Sequence, residues 1–100
     1  MTNSHKWTRI AWSDYQYWCY RSRKTQIFIN QLIKNAEKTP TNGLGKPEKL
    51  VGSLTGLWSR KIDTTNRLIY AVKEGHLIII SCRYHLKPRV SFMSPPRFRN

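Results

Sequence analysis

The feature that most constrains the fold is an uninterrupted apolar run, Leu77 to Ile80, in the second half of the chain. It lies within a longer stretch, His76 to His85, and a second stretch rich in β-branched and aromatic residues, Arg67 to Val72, precedes it. The three residues between the two stretches have the composition of a turn, which predicts a β-hairpin. Because the apolar run lacks polar alternation, we expect it to form a central strand buried on both faces.

Two helices are predicted before the hairpin. In the first, Arg9 to Arg21, aromatic and other apolar residues recur at helical spacing, and Thr8 is placed to cap it. The second runs from about Lys24 to Glu37, with Ser22 as its cap and a proline shortly after its end. So short a break between them indicates an antiparallel helical hairpin laid on one face of a sheet.

A further strand is predicted from Gly56 to Asp63, where Trp58, Arg60 and Ile62 alternate onto one side. Together with the hairpin it forms a three-stranded antiparallel meander, and Lys6 with Trp7 is a candidate for a fourth strand. The expected fold class is therefore α+β: an antiparallel sheet of three to four strands, covered on one face by the helical hairpin. The other face is expected to be open and to carry cations.

The chain changes character after Leu86. Residues 1–86 are expected to form a single domain, whereas residues 87–100 contain three prolines, four cations and few residues that build a core. This composition predicts a flexible basic extension. The four cations are Lys87, Arg89, Arg97 and Arg99.

The charge balance indicates a polyanionic partner. Eighteen Lys and Arg residues face five acids, which gives a net charge of +13. Nucleic acid is favoured over an anionic membrane surface, because no strongly amphipathic basic helix stands out and aromatic residues are interleaved with the cations. No window approaches the roughly 20 apolar residues of a membrane span, and the first residues lack the apolar core of a signal peptide. We therefore expect a cytoplasmic protein with no membrane partner.

The two cysteines, Cys19 and Cys82, form no metal-binding or redox motif. One interpretation is a disulfide between them. The favoured interpretation is that both are reduced thiols in the core of a cytosolic protein, because Cys82 lies in the strand predicted to be most buried.

Few side chains are available for acid–base chemistry. Glu48 is the one carboxylate in a loop shaped by glycine and proline, and Lys46 and Lys49 flank it. It is either a solvated glutamate paired with a lysine or a general base whose ionised form the cations favour. His85, at the end of the central strand, is either simply exposed or a general acid that works near neutral pH.

Arg60 and Arg67 lie near opposite ends of a short hairpin connection, so we expect them to approach one another across two paired strands. Each either covers the sheet edge or binds phosphate through its planar guanidinium. A carboxylate, a histidine and an arginine would suffice to cleave RNA without a metal. The base takes the 2′-hydroxyl proton, the arginine stabilises the phosphoryl oxygens, and the acid protonates the departing 5′-oxygen. Carboxylates are too scarce and scattered to hold Mg²⁺.

Four segments occur in this order along the chain: Gly43–Leu50, Trp58–Ile62, Asn66–Tyr70 and Cys82–His85. Together they resemble the Txe/YoeB family of bacterial toxins, within the wider RelE/ParE group. The aromatic first helix, around Trp12 to Trp18, is also similar to that of the family. The resemblance runs from about His5 to Leu86 without gaps.

The resemblance implies a ribosome-dependent endonuclease that cleaves messenger RNA in the ribosomal A site and is held inactive by an acidic antitoxin of the YefM/Phd type. It assigns Glu48 as the base, His85 as the acid and Arg67 as the cation that stabilises the transition state, with no cofactor and no metal. A second copy of the chain is a further candidate partner. The expected RNA-binding residues are Lys46, Lys49, Arg60, Arg83 and Tyr84.

The chain departs from the family in two places. Leu86 stands where the family has a terminal aromatic residue, and fourteen residues follow it. Two other functions stay open at this point. One is a non-cleaving toxin that inhibits DNA gyrase, as in the ParE branch, and the other is a plain nucleic-acid-binding module.

Overall fold

A computed structural model describes residues 4–84. Within that range the chain forms two helices and five strands. Their order is β1 (Ser4–Trp7), α1 (Arg9–Arg21), α2 (Arg23–Lys38), β2 (Glu48–Lys49), a short 3-10 turn (Gly52–Leu54), β3 (Trp58–Lys61), β4 (Arg67–Lys73) and β5 (His76–Ser81).

The two predicted helix caps hold both helices in place. The Thr8 hydroxyl accepts a hydrogen bond from the Ala11 N–H at 3.0 Å, and the Ser22 hydroxyl accepts one from the Thr25 N–H at 3.2 Å. Such bonds satisfy N–H groups that the first turn of a helix leaves without an internal partner. The first helix has the predicted bounds, and the second extends one residue further at each end, from Arg23 to Lys38.

The strands form one mixed sheet in the order β1-β5-β4-β3-β2. Strand β1 pairs in parallel with β5, and the other pairs are antiparallel. The α+β class with a helical hairpin on a sheet is confirmed, but the predicted three to four antiparallel strands were too few. The additional strand, β2, has only two residues, too short to show a sequence period. Strands β3 and β5 are also shorter than predicted, at Trp58–Lys61 and His76–Ser81.

The main core lies between the helices and the sheet. The central strand is buried on both faces, as predicted, with Leu77 and Ile79 facing the helices and Ile80 facing the other way. The helix-side core also contains Ala11, Trp18, Ile29, Leu32, Ile33, Ala36, Ile62, Leu68, Tyr70 and Cys82.

The opposite face of the sheet is only partly open, which corrects the expectation of an open cationic surface. Ile69 and Ile80 are buried there beneath a second, smaller apolar cluster. Its partly buried members are Ile10, Leu50, Leu54, Leu57 and Ile78. The segment that contains the 3-10 turn therefore covers one part of this face and leaves the part near β2 and the start of β4 for polar side chains.

Both cysteines are free thiols. Cys82 is buried as predicted, but Cys19 is exposed, so placing both thiols in the core was wrong for Cys19. Its position on α1 is one residue past the buried Trp18. Between residues 4 and 84 no helix has the length and apolar content needed to cross a lipid bilayer.

Candidate active site

The register of three strands brings Glu48 and Arg67 together on the sheet face opposite the helices. Glu48 pairs with Ser59, and Ser59 pairs with Ile69, which is buried in the second cluster. Directly paired residues project from the same face of a sheet. The Arg67 Nη1 atom lies 3.6 Å from the Glu48 Oε1 atom and donates a hydrogen bond to the Ser59 hydroxyl at 3.2 Å. Ser59 therefore fixes the arginine beside the carboxylate.

This pair is accessible to solvent. The Glu48 side chain is 65% exposed and that of Arg67 is 26% exposed. An ion pair with this much exposure contributes little to stability. The pair is better suited to chemistry than to stabilising the fold. An exposed carboxylate can accept a proton, and a guanidinium can bind a phosphate through its planar fork.

The two lysines beside Glu48 lie in different settings. Lys46 is exposed in the loop before β2 and has a positive φ of 51°. Lys49 pairs with Trp58, one position along from Glu48. Because successive side chains in a strand alternate between faces, Lys49 projects away from the face that carries Glu48 and Arg67. The structure thus separates Lys49 from the pair.

Tyr84, the last residue that the structure describes, is hydrogen-bonded to the start of β4 beside Arg67. The Arg67 N–H donates to the Tyr84 carbonyl at 3.3 Å, and the Tyr84 N–H donates to the side-chain oxygen of Asn66. The Arg83 guanidinium carbon lies 3.5 Å from the centroid of the Tyr17 ring and 4.4 Å from that of the Tyr84 ring. Of the two predicted RNA-binding residues, Tyr84 is therefore held next to Arg67, whereas the Arg83 guanidinium lies against the rings of Tyr17 and Tyr84. His85 lies outside the described residues, and its role stays a prediction.

Arg60 does not belong to this group. Arg60 lies opposite Leu68 in the pairing of β3 with β4, on the helix-covered face, and the arginine has no exposed surface. All of its guanidinium N–H groups donate to oxygen atoms of the protein itself. Direct RNA contact by Arg60 and its approach to Arg67 were therefore wrong, because adjacent strand positions place the two arginines on opposite faces.

A turn with a buried polar residue supports the site. Asn66, which is 9% exposed, holds Tyr84 and is itself held by Asp63, whose Oδ1 accepts from the N–H groups of Thr65 and Asn66 at 2.8 and 2.7 Å. Partial burial acts to raise the pKa of Asp63, but these hydrogen bonds outweigh it and the pKa lies below its ordinary value. The ionised carboxylate therefore stabilises this turn.

Sequence reasoning missed the residues that anchor the end of β5. Asp14, 4% exposed on α1, accepts from the Cys82 N–H at 3.0 Å, and the Trp18 indole donates to the Cys82 carbonyl at 2.8 Å. The signal was available: Ala11, Asp14 and Trp18 share one face of a helix at spacings of three and four. An acid among apolar residues on such a face indicates a buried hydrogen-bond acceptor.

The residues that can hold a metal are scattered. Within residues 4–84, no three His, Cys, Asp or Glu side chains lie close enough together to bind one ion.

A family model described as the YoeB-like toxin of bacterial type II toxin–antitoxin systems matches residues 7–86. The chain belongs to this family. The YoeB toxin of Escherichia coli K12 is 46% identical over 79 residues, which cover 79% of this chain and 94% of that toxin. The resemblance to the Txe/YoeB family is confirmed, and the chain is the toxin component of a type II toxin–antitoxin system.

Solved structures of YoeB toxins have the same fold. A YoeB/ParE toxin from Agrobacterium tumefaciens superposes with a TM-score of 0.80 at 41% identity, over 85% of this chain and 99% of that one. Two Staphylococcus aureus structures have TM-scores of 0.76. The first is a heterotetrameric YoeB–YefM complex, at 38% identity over 85% of this chain and 98% of that one. The second is a YoeB dimer, at 39% identity over 84% and 97%.

Proposed function

We propose that this YoeB-like toxin is a ribosome-dependent endoribonuclease that cleaves messenger RNA in the A site by metal-independent acid–base chemistry. The observation that carries the proposal is the Glu48–Arg67 pair, 3.6 Å apart and accessible to solvent. A proton acceptor beside a phosphate-binding cation is what attack by a ribose 2′-hydroxyl on the adjacent phosphorus requires.

In this mechanism Glu48 removes the 2′-hydroxyl proton, and the 2′-oxygen forms a bond to phosphorus. Arg67 stabilises the negative charge that gathers on the non-bridging oxygens. The bond from phosphorus to the 5′-oxygen breaks, and His85 gives that oxygen a proton. The products are a 2′,3′-cyclic phosphate and a free 5′-hydroxyl.

Contacts with the RNA come from residues around the pair. Lys46 is exposed on the segment before Glu48 and binds phosphate. Tyr84 is 45% exposed, and its ring offers a surface on which a base stacks, while the Arg83 guanidinium lies against that ring. Lys49 contributes to the local positive field from the edge of the sheet rather than from the face that carries Glu48.

The partner that restrains the toxin is an acidic antitoxin of the YefM/Phd type. The net charge of +13 favours fast association with an acidic, disordered segment that folds as it binds. The S. aureus YoeB–YefM complex supports this choice of partner, and the S. aureus YoeB dimer supports self-association as a second mode of assembly. We place the toxin in the cytoplasm, because the ribosome-bound messenger RNA that it would cleave is there.

The test is a cleavage assay with purified toxin, ribosomes and a short message, in which the chemical ends of the RNA products are identified. We expect a cut in the A-site codon that leaves a 2′,3′-cyclic phosphate. Glu48→Gln should lower the rate by about 10²-fold or more, the usual scale for a general base. The matched control is Glu74→Gln, in the exposed turn between β4 and β5, which should cleave like the wild type.

Three results would contradict the proposal. Products that end in a 3′-hydroxyl and a 5′-phosphate would replace it with hydrolysis by a metal-activated water. Binding to ribosomes without cleavage would leave a nucleic-acid-binding module. Loss of gyrase activity without any RNA product would place the toxin with the gyrase inhibitors.

A further inference from the structure

The buried guanidinium of Arg60 is the centre of a hydrogen-bond network on the helix side of the sheet. Within residues 4–84 it forms no ion pair, and its five N–H groups donate to uncharged oxygen atoms of α2, the loop that follows α2, and β4. These acceptors are Asn35 Oδ1 at 2.7 Å, Leu44 O at 3.0 Å, Thr39 O at 2.6 Å, Asn42 O at 3.0 Å and the Tyr70 hydroxyl at 2.9 Å.

Two of these acceptors hold the same loop by a second bond. The Tyr70 hydroxyl donates to the Pro40 carbonyl at 2.6 Å, and Asn35 Oδ1 accepts from the Leu44 N–H at 3.0 Å. Thr39 caps the C-terminal end of α2, where the helix dipole places partial negative charge that favours a cation. Residues 39–44 are thus fixed to α2 and β4 through one arginine.

The network continues into the segment that carries Glu48. The Gly45 carbonyl accepts from the Lys61 N–H at 2.7 Å, which lays the segment against β3. Gly45 has a φ of +79°, and a Cβ atom there would lie 3.0 Å from the Arg60 Cβ and 2.8 Å from a Leu32 methyl. The chain therefore passes directly over Arg60, and only a glycine fits at that point.

Strand β2 has only two residues and lies at the edge of the sheet. Its pairing register therefore depends on hydrogen bonds that hold the chain on either side of it, which we call its anchors. A slip of one residue in its pairing with β3 would turn the Glu48 side chain to the opposite face, away from Arg67. Its anchor on the other side is the Leu50 N–H, which donates to the Leu57 carbonyl at 3.0 Å. The anchor on the side of α2 is the Arg60 network.

We propose that Arg60 is a positioning residue, which acts through the loop of residues 39–45 to hold Glu48 in register beside Arg67. Its effect on cleavage rests on the function proposed above, whereas its effect on the register of β2 does not. Arg60 touches neither substrate nor reacting atoms in this scheme. It sets the geometry of the base from the far side of the sheet.

The experiment uses two mild variants. Tyr70→Phe removes the hydroxyl that links Arg60 to Pro40 and keeps the ring in the core. Arg60→Lys keeps the charge but loses the planar fork of donors. The matched controls are Tyr20→Phe and Arg23→Lys, which make the same chemical changes at exposed positions on the helices.

Two measurements are made on each variant at a temperature where all are folded. Native-state hydrogen exchange follows the Lys61 and Leu44 amides, which report the anchors, and the Ile79 amide of β5, which reports global unfolding. The ribosome assay gives kcat and KM separately, because a base that is out of place lowers kcat while substrate binding persists.

We expect Tyr70→Phe to speed exchange of the Lys61 and Leu44 amides by roughly tenfold, the scale of one net hydrogen bond, and by more than it speeds the Ile79 amide. Its kcat should fall by roughly tenfold with KM unchanged, since small misplacements of a reacting group cost up to about 10²-fold. Arg60→Lys should speed exchange of these two amides and lower kcat by larger factors than Tyr70→Phe does. The two controls should match the wild type in every measurement.

Equal acceleration of all three amides would overturn the proposal, because Arg60 would then support general stability only. Faster exchange at Lys61 and Leu44 with an unchanged kcat would overturn it too. A wild-type toxin that does not cleave would refute the proposed function instead. In that case the exchange data alone decide whether Arg60 holds the loop of residues 39–45 that leads into β2.

Discussion

Arg60 on β3 and Arg67 on β4 lie on opposite faces of the same sheet, in opposite surroundings. Arg60 has no exposed surface and donates every guanidinium N–H within the protein. The Arg67 side chain is 26% exposed, beside an exposed carboxylate and one serine hydroxyl. One arginine is fixed by five acceptors, and the other keeps donor capacity for a ligand.

The difference between the two faces shows how a small basic domain divides its cations between structure and chemistry. Beneath the helices, a cation replaces the hydrogen bonds that a loop would otherwise make with water, and removing it takes the donors away from three loop carbonyls. On the other face, the apolar cluster around Ile69 and Ile80 leaves a polar edge open, where an arginine costs little and can meet phosphate.

The largest expected effect tests this division directly with the same substitution at both positions. Arg67→Met should lower cleavage by about 10²-fold or more and change the free energy of unfolding by less than about 1 kcal/mol. Arg60→Met should lower the free energy of unfolding by roughly 3 kcal/mol, because the five hydrogen bonds of a buried guanidinium are lost, and should lower Tm by about 15 °C. Thermal unfolding and the ribosome assay measure the two effects.

Arg23→Met, at an exposed position on α2, is the control for both measurements, and it should leave Tm and cleavage nearly unchanged. Similar losses of Tm at positions 60 and 67 would show that the two faces do not differ in this way. A normal cleavage rate for Arg67→Met would remove Arg67 from the mechanism.

Part of this contrast could be predicted from the sequence. Alternation placed Arg60 on the same side as Trp58 and Ile62, two apolar residues, which is the pattern of a core-facing side. That signal indicated a buried arginine, but the tendency of arginine to bind phosphate led to the opposite interpretation. The caps Thr8 and Ser22 were predictable for a simpler reason, because a helix start has a local chemical signature.

The geometry of the site was harder to predict. Glu48 reaches Arg67 through the pairing of a two-residue strand with β3, and two residues carry no period. The same limit applies to Asn66, which holds Tyr84 across a sequence separation that no local pattern encodes. Families of related sequences share such long-range contacts, and for that reason the resemblance could assign Glu48 and Arg67 to one site where periodicity could not.

A smaller effect, at alkaline pH, sharpens the account of the helix-covered face. Burial raises the pKa of Tyr70 above its ordinary value of 10.0, although the hydrogen bond and positive charge of Arg60 act in the opposite direction. The folded state thus keeps a proton that the unfolded state has released. Stability from this group is complete below pH 10 and is lost as the pH rises through the folded pKa. Tm should therefore fall more steeply above pH 10 for the wild type than for Tyr70→Phe.

Tyr20→Phe is the control for the alkaline prediction, because Tyr20 is 92% exposed. Its Tm should follow the wild-type curve across the same pH range. Parallel curves for the wild type and Tyr70→Phe would mean that the Tyr70 hydroxyl does not resist ionisation, and they would weaken the case for a tightly closed network around Arg60.

The smallest expected effect lies at acid pH, in the turn between β3 and β4 that supports the Glu48–Arg67 site. Although burial acts to raise it, the pKa of Asp63 lies below 3.8, because N–H groups of Asn66 and Thr65 favour the ionised carboxylate. The unfolded state therefore binds the proton first as the pH falls. The stabilisation from Asp63 is fully present above about pH 4 and is lost as the pH falls through the folded pKa. Since the group is largely exposed, it contributes less than about 1 kcal/mol.

Asp63→Asn should lower Tm by about 3 °C at pH 7, and the difference from the wild type should shrink below pH 3.8. The same variant should speed exchange of the Tyr84 amide, because Asp63 orients the Asn66 side chain that accepts its hydrogen bond. Glu74→Gln, in the exposed turn between β4 and β5, should leave both quantities unchanged. A Tm difference that stays constant from pH 7 to pH 2.5 would show that the Asp63 charge does not hold this turn. The position of Tyr84 beside Arg67 would then not depend on the charge of Asp63.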